Sequence, residues 1–134
     1  VAGRRELLPT IESIALAQAM APDTALAMMN FLEYQSLAEG DAVDGRAAYL
    51  RYGREAFKAV HTVGGQFLFA GTITAMLIQP RSPDWQGPWD DVAAMIYPDP
   101  TAIFAMEQIP AYARALGDRD AGLRRTRVIA TRAS

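Results

Sequence analysis

The spacing of hydrophobic and polar positions switches along this chain between a helical and a strand period, and each switch marks an element. From Pro9 onward, Ile11, Ile14, Ala15 and Gln18 share one helical face until Pro22-Asp23 stops the pattern, which predicts a short N-terminal helix. Ala25 to Tyr34 alternates instead. Met28, Asn30, Leu32 and Tyr34 fall on one side and Ala27, Met29, Phe31 and Glu33 on the other, a strand with both faces largely covered. After a polar connection, Asp44 is placed to cap a helix running to about Val63. Its apolar stripe is Tyr49, Tyr52, Gly53, Ala56, Phe57 and Val60, with Arg46, Arg51, Arg54, Glu55 and Lys58 turned to solvent.

Gly64-Gly65 ends that helix, and Gln66 to Gln79 reads as one long strand bent or bulged at Gly71, with a hairpin at Ala70-Gly71 as the alternative. Pro80 to Pro88 is a loop. Trp89 to Tyr97 alternates again, with Trp89, Asp91, Ala93, Met95 and Tyr97 on one face. Asp99-Pro100 starts a helix that Pro110 breaks; further turns over Ala111 to Leu123 are interrupted at Gly117, and Arg125 to Thr131 closes the chain as a strand. The order is a helix followed by β-α-β-β-α-β. It predicts an α+β, ferredoxin-like antiparallel sheet with both helices on one face, residues 1–24 forming an N-terminal helical extension to a domain over 25–134. Both sheet faces are apolar, so the face away from the helices needs a cover. A second copy would supply it: two sheets closing a barrel-like core make a homodimer, with a pocket between sheet and loops. The N-terminal helix is the alternative cover.

Composition narrows the chemistry. At 134 residues, 51% hydrophobic and 21% charged, the chain fits one domain with a real core. A net charge of -2 with signs interspersed provides no basic stripe, so nucleic acid is not an expected partner. There is no cysteine and a single histidine, which removes thiol chemistry and His-rich metal sites within one subunit; no metal and no cofactor are expected. No Gly-rich phosphate loop, nucleophile elbow or HExxH motif is present. The uncharged run Thr62 to Pro80 carries glycines, threonines and glutamines and suits a buried strand better than a membrane span, so a cytoplasmic protein is expected.

Several stretches carry a family resemblance. Met29-Asn30-Phe31-Leu32-Glu33-Tyr34, Ala48-Tyr49-Leu50-Arg51-Tyr52-Gly53, Val63-Gly64-Gly65-Gln66-Phe67-Leu68-Phe69-Ala70-Gly71 and Trp89-Asp90-Asp91-Val92 resemble, in order and spacing, a bacterial DUF1330-like family of the dimeric α+β barrel superfamily. Tyr97-Pro98, Tyr112, Arg119 and Thr126 to Thr131 follow in matching order, so the resemblance covers Ala25 to the end. It implies the fold and the dimer. It does not imply a reaction, because the superfamily holds cofactor-independent monooxygenases, isomerases, haem enzymes, cyclases and proteins without known activity.

Candidate site residues follow from polar groups on apolar faces. Asn30 would recognise a ligand carbonyl or hydroxyl, or else tie neighbouring strands together. His61, at the end of a helix, would act as a general base or simply meet the last carbonyls. Asp91, beside aromatic and apolar neighbours, suits proton transfer, with a solvated strand end as the plain alternative. Tyr34, Tyr52, Tyr97 and Trp89 would line the substrate pocket, or serve as core. Arg119 and Arg127 would pair with Asp90 or Asp91 or bind a ligand carboxylate. Two functions fit these residues: a cofactor-independent isomerase, cyclase, lyase or monooxygenase acting on an apolar oxygenated small molecule, with His61 and Asp91 moving protons, or a non-catalytic small-molecule-binding or stress-response dimer.

Overall fold

The computed structural model describes residues 7–38, 40 and 43–132. Helix α1 (Ile11–Gln18) is capped by Thr10, whose side chain accepts from the Ser13 amide. Strand β1 (Leu26–Tyr34) leads to α2 (Gly45–Thr62), capped by Asp44 through a bond from the Ala47 amide. Then come β2 (Gln66–Thr72), β3 (Asp91–Tyr97), α3 (Pro100–Met106), α4 (Pro110–Gly122) and β4 (Leu123–Arg132). Asp99 caps α3 by accepting from the Thr101 and Ala102 amides, with Pro100 in the first turn where its missing N–H costs nothing. The strands form one antiparallel sheet in the order β2-β3-β1-β4, which is the ferredoxin-like arrangement predicted from the element order.

The register divides the sheet into two faces. Met28 stands opposite Met95, Leu26 opposite Tyr97 and Phe67 opposite Met95, and Met28, Phe67, Met95 and Tyr97 pack with Ala59 and Val60 of α2, Ala102 and Met106 of α3 and Tyr112 of α4. Leu32 and Leu123 join Leu7 and the rings of Tyr34 and Tyr49 in a second cluster. All helical packing is therefore on the Met28 face. The opposite face presents Met29, Phe31, Phe69 and Ile129, of which Phe69 and Ile129 are exposed.

Four expectations are corrected. β2 ends at Thr72, not Gln79, because its partner β3 runs out: Thr72 pairs with Asp91, the Ile73 amide reaches Asp90 O at 2.8 Å, and no ladder continues beyond. The irregularity in β2 lies between Phe67 and Phe69 and not at Gly71. Gly117 does not interrupt α4, since it sits in open space on an exposed turn where glycine lowers propensity without breaking the helix. The stripe of α2 is also rotated from the predicted one, with Ala48 and Ala59 buried and Phe57 half exposed, stacked on Phe67 at 5.2 Å.

One glycine pair fixes how α2 and α4 meet. A Cβ on Gly122 would lie 2.4 Å from Gly45 O and 2.9 Å from the Tyr49 amide nitrogen, and one on Gly45 would lie 2.2 Å from Gln35 O. The backbones touch there because neither residue has a side chain, and Gln35 bridges them, donating to Gly122 O and accepting from the Gly45 amide. This contact sets the first turns of α2 above the end of β1.

Candidate functional site

Between the Met28 face of the sheet and the helices lies an open cavity of about 1960 Å³. Met28, Met95, Val128 and Ala130 line its sheet side, Tyr49, Tyr52 and Tyr112 its helical side, and Leu7, Thr10, Ile14 and Ala17 its α1 side. The cavity lies on the helical side of the sheet, whereas the expected pocket belongs with the face away from the helices.

At one end Asp91 opens β3. Tyr34 Oη donates to Asp91 Oδ2 at 2.6 Å, and Arg46 from the first turn of α2 grips the same carboxylate with Nη1 at 2.8 Å and Nη2 at 3.0 Å. The Arg46 guanidinium also lies 5.0 Å from the Tyr34 ring centroid. The neighbouring Asp90 turns the other way in sequence and accepts from the Tyr34 amide at 2.8 Å, so both carboxylates pin the end of β1.

A run of phenols crosses the cavity wall from this end. Ring centroids are 5.5 Å apart from Tyr34 to Tyr49, 5.2 Å from Tyr49 to Tyr52 and 5.8 Å from Tyr52 to Tyr112, and the last two hydroxyls are 3.3 Å apart. Burial disfavours the phenolate and pushes Tyr49 up to about 12; it raises Tyr52 and Tyr97 as well. Tyr34 is raised by burial and then by its bond to Asp91. These hydroxyls are neutral donors at any physiological pH. Asn30 sits mid-strand on the same wall, its Nδ2 donating to Ala93 O across the sheet at 3.3 Å.

Asn30, Tyr34, Tyr52, Asp91 and Tyr97 are therefore brought to one cavity. His61 and Trp89 are not. His61 is exposed at the end of α2 with its ring 4.6 Å from Phe57, and it is not a lining residue. Trp89 precedes β3, which begins at Asp91 rather than at Trp89, so the alternation that put Trp89 beside Asp91 does not apply. It is buried against Phe31 and Trp85 with Arg125 4.0 Å above its ring. The partner of Asp91 is Arg46, while Arg119 pairs with Asp120 and donates to Leu7 O. Sequence reasoning assigned Arg46 to solvent and passed over Tyr112. The i, i+3 spacing of Tyr49 and Tyr52 signals one helical face, but nothing in the sequence brings Tyr112 opposite them. Among the described residues no three His, Asp or Glu side chains gather as a metal-binding group.

No family model matches the chain, and no curated protein matches it significantly. Among solved structures, it is similar to RPA0582, a protein of unknown function from Rhodopseudomonas palustris, with 27% identity over 97% of this chain and 98% of that one and a TM-score of 0.85. The fold is shared from end to end. The methylated form of RPA0582 matches equally, at 27% identity and a TM-score of 0.85. At3g17210 from Arabidopsis thaliana is similar in fold alone, at 10% identity, a TM-score of 0.56, and coverage of 81% of this chain and 95% of its own.

Proposed function

We propose that this protein is a small enzyme that moves a proton on an apolar oxygenated molecule bound between sheet and helices, by general acid/base catalysis and without a cofactor in that step. The supporting observation is the short Tyr34–Asp91 bond at the wall of a largely apolar cavity, with Arg46 holding the carboxylate in place. A substrate C–H or O–H that meets Tyr34 Oη would give it a proton as Tyr34 passes its own to Asp91 Oδ2. Reversal at another substrate atom returns the proton, giving an isomerisation or an elimination with no net change at the protein. Tyr49 and Tyr52 would supply hydrogen bonds to a developing oxyanion. The test is incubation with a metabolite mixture followed by mass spectrometry. Conversion by the unaltered protein should fall at least about 100-fold in Asp91→Asn and Tyr34→Phe. Full conversion by folded forms of both variants removes these residues from the chemistry.

A binding role is the second reading, favoured by the engagement of Asp91: one phenol and two guanidinium N–H groups already donate to its oxygens. It predicts thermal stabilisation by an apolar ligand with no product formed. In either role we take the working form to be a cytoplasmic homodimer of the DUF1330-like kind, joined through the face that carries Met29, Phe69 and Ile129. The exposure of Phe69 and Ile129 there supports self-association. No helix among the described residues is long and apolar enough to cross a membrane.

A further inference from the structure

Asn30 is a polar residue in apolar surroundings. Its neighbours on the same strand face are Met28 and Leu32, and the residues opposite it are Ala93 on β3 and Val128 on β4. Its one hydrogen bond is donated by Nδ2 to Ala93 O. A backbone carbonyl only accepts, so this bond decides which way the amide is turned, and Oδ1 faces away from Ala93. Oδ1 has no donor among the described residues, yet no fully buried side-chain polar atom among them is left without a partner. Oδ1 is therefore accessible, and on this face of the sheet the accessible space is the cavity that Asn30 lines.

Two of the cationic residues that line the cavity are held by protein groups. Arg46 is bound to Asp91, and Arg119 to Asp120 and Leu7 O, while burial keeps the phenols neutral. The mid-sheet wall thus presents Oδ1 as a fixed acceptor among methyl, thioether and methylene groups. We propose that Asn30 is a specificity-determining residue that selects neutral ligands carrying an O–H or N–H group, which donates to its Oδ1. A ligand with only a carbonyl or ether there sets two acceptors face to face. A carboxylate brings a charge to a stretch of wall whose nearest lining residues, Met28, Ala93 and Val128, carry none. This inference rests on the reading above that the cavity holds an apolar oxygenated molecule.

Three probes with one ring system separate the outcomes: 2-naphthol carries the donor, 2-methoxynaphthalene lacks it, and 2-naphthoate is an anion. Titration calorimetry of the intact protein should rank 2-naphthol at least about tenfold tighter than either of the others. In Asn30→Leu, which keeps the branched arrangement of side-chain heavy atoms, 2-naphthol should weaken to the level of 2-methoxynaphthalene while the latter is unchanged. Equal binding of all three to the unaltered protein overturns the role of Asn30 and leaves the cavity reading standing. Binding of none of them overturns both. The ranking on the unaltered protein decides the matter independently of whether Asn30→Leu folds, and an undiminished 2-naphthol preference in a folded Asn30→Leu also refutes it.

Discussion

Arg125 joins a strand to a loop through contacts of three kinds. Its Nε donates to Glu33 Oε1 at 3.1 Å, its Nη groups donate to the carbonyls of Asp84 and Gln86, and its plane lies over Trp89. The pair is largely buried, so removing the guanidinium leaves Glu33 without its partner. Arg125→Ala is expected to cost about 2 kcal/mol, and Arg125→Lys to restore only part, because an ammonium lacks the planar fork. Calorimetry checks this, and an unchanged melting temperature in Arg125→Ala would refute it. At this scale the sequence was informative about which faces residues take and silent about partners. Asp91, Met95 and Tyr97 do share the cavity face, as strand alternation requires. Arg46 was legible only as a surface residue, since its contact with Asp91 spans 45 positions and depends on where α2 sits.

That position is an element-scale property, and it rests on the Gly45–Gly122 contact. Gly122→Ala puts a methyl group into Gly45 O and the Tyr49 amide, which only separation of α2 from α4 can relieve. It should destabilise the protein by at least about 2 kcal/mol by urea titration. Gly117→Ala, in open space on the same helix, should be neutral or slightly stabilising. Equal effects of the two substitutions would rule out the contact as the cause. Caps and breakers made the elements legible: Asp44, Asp99, Pro100 and Pro110 all stand where the helices begin. The length of β2 was not legible, because residues 73–79 have strand composition and only the short β3 denies them a partner.

For the whole molecule, the buried phenols link stability to alkaline pH. Tyr34, Tyr49, Tyr52 and Tyr97 are held above the ordinary tyrosine value in the fold, so above about pH 10 the unfolded chain releases protons that the folded chain keeps. This contribution is intact below about pH 10 and is lost as pH rises through the folded values. The melting temperature should therefore drop between about pH 10 and pH 12, with phenolate absorbance appearing together with loss of far-UV circular dichroism. Phenolate from more than one tyrosine per chain appearing at about pH 10 in a fully folded protein would contradict the burial of these four rings. The proposed dimer is tested at the same scale. Sedimentation equilibrium should return twice the mass of one chain, and Ile129→Asp, which sets a charge on the exposed sheet face, should return the single mass.

The sheet also sorts the chromophores. Both tryptophans of the sequence stand in the Phe31–Trp85–Trp89 cluster behind the sheet, and all five tyrosines line the cavity in front of it. Excitation at the red edge of the absorption band reaches indoles alone, so indole emission reports on the back of the sheet, while phenol emission reports on the front. Occupancy of the cavity and association of two chains are thereby two optical signals, separable in a single label-free sample.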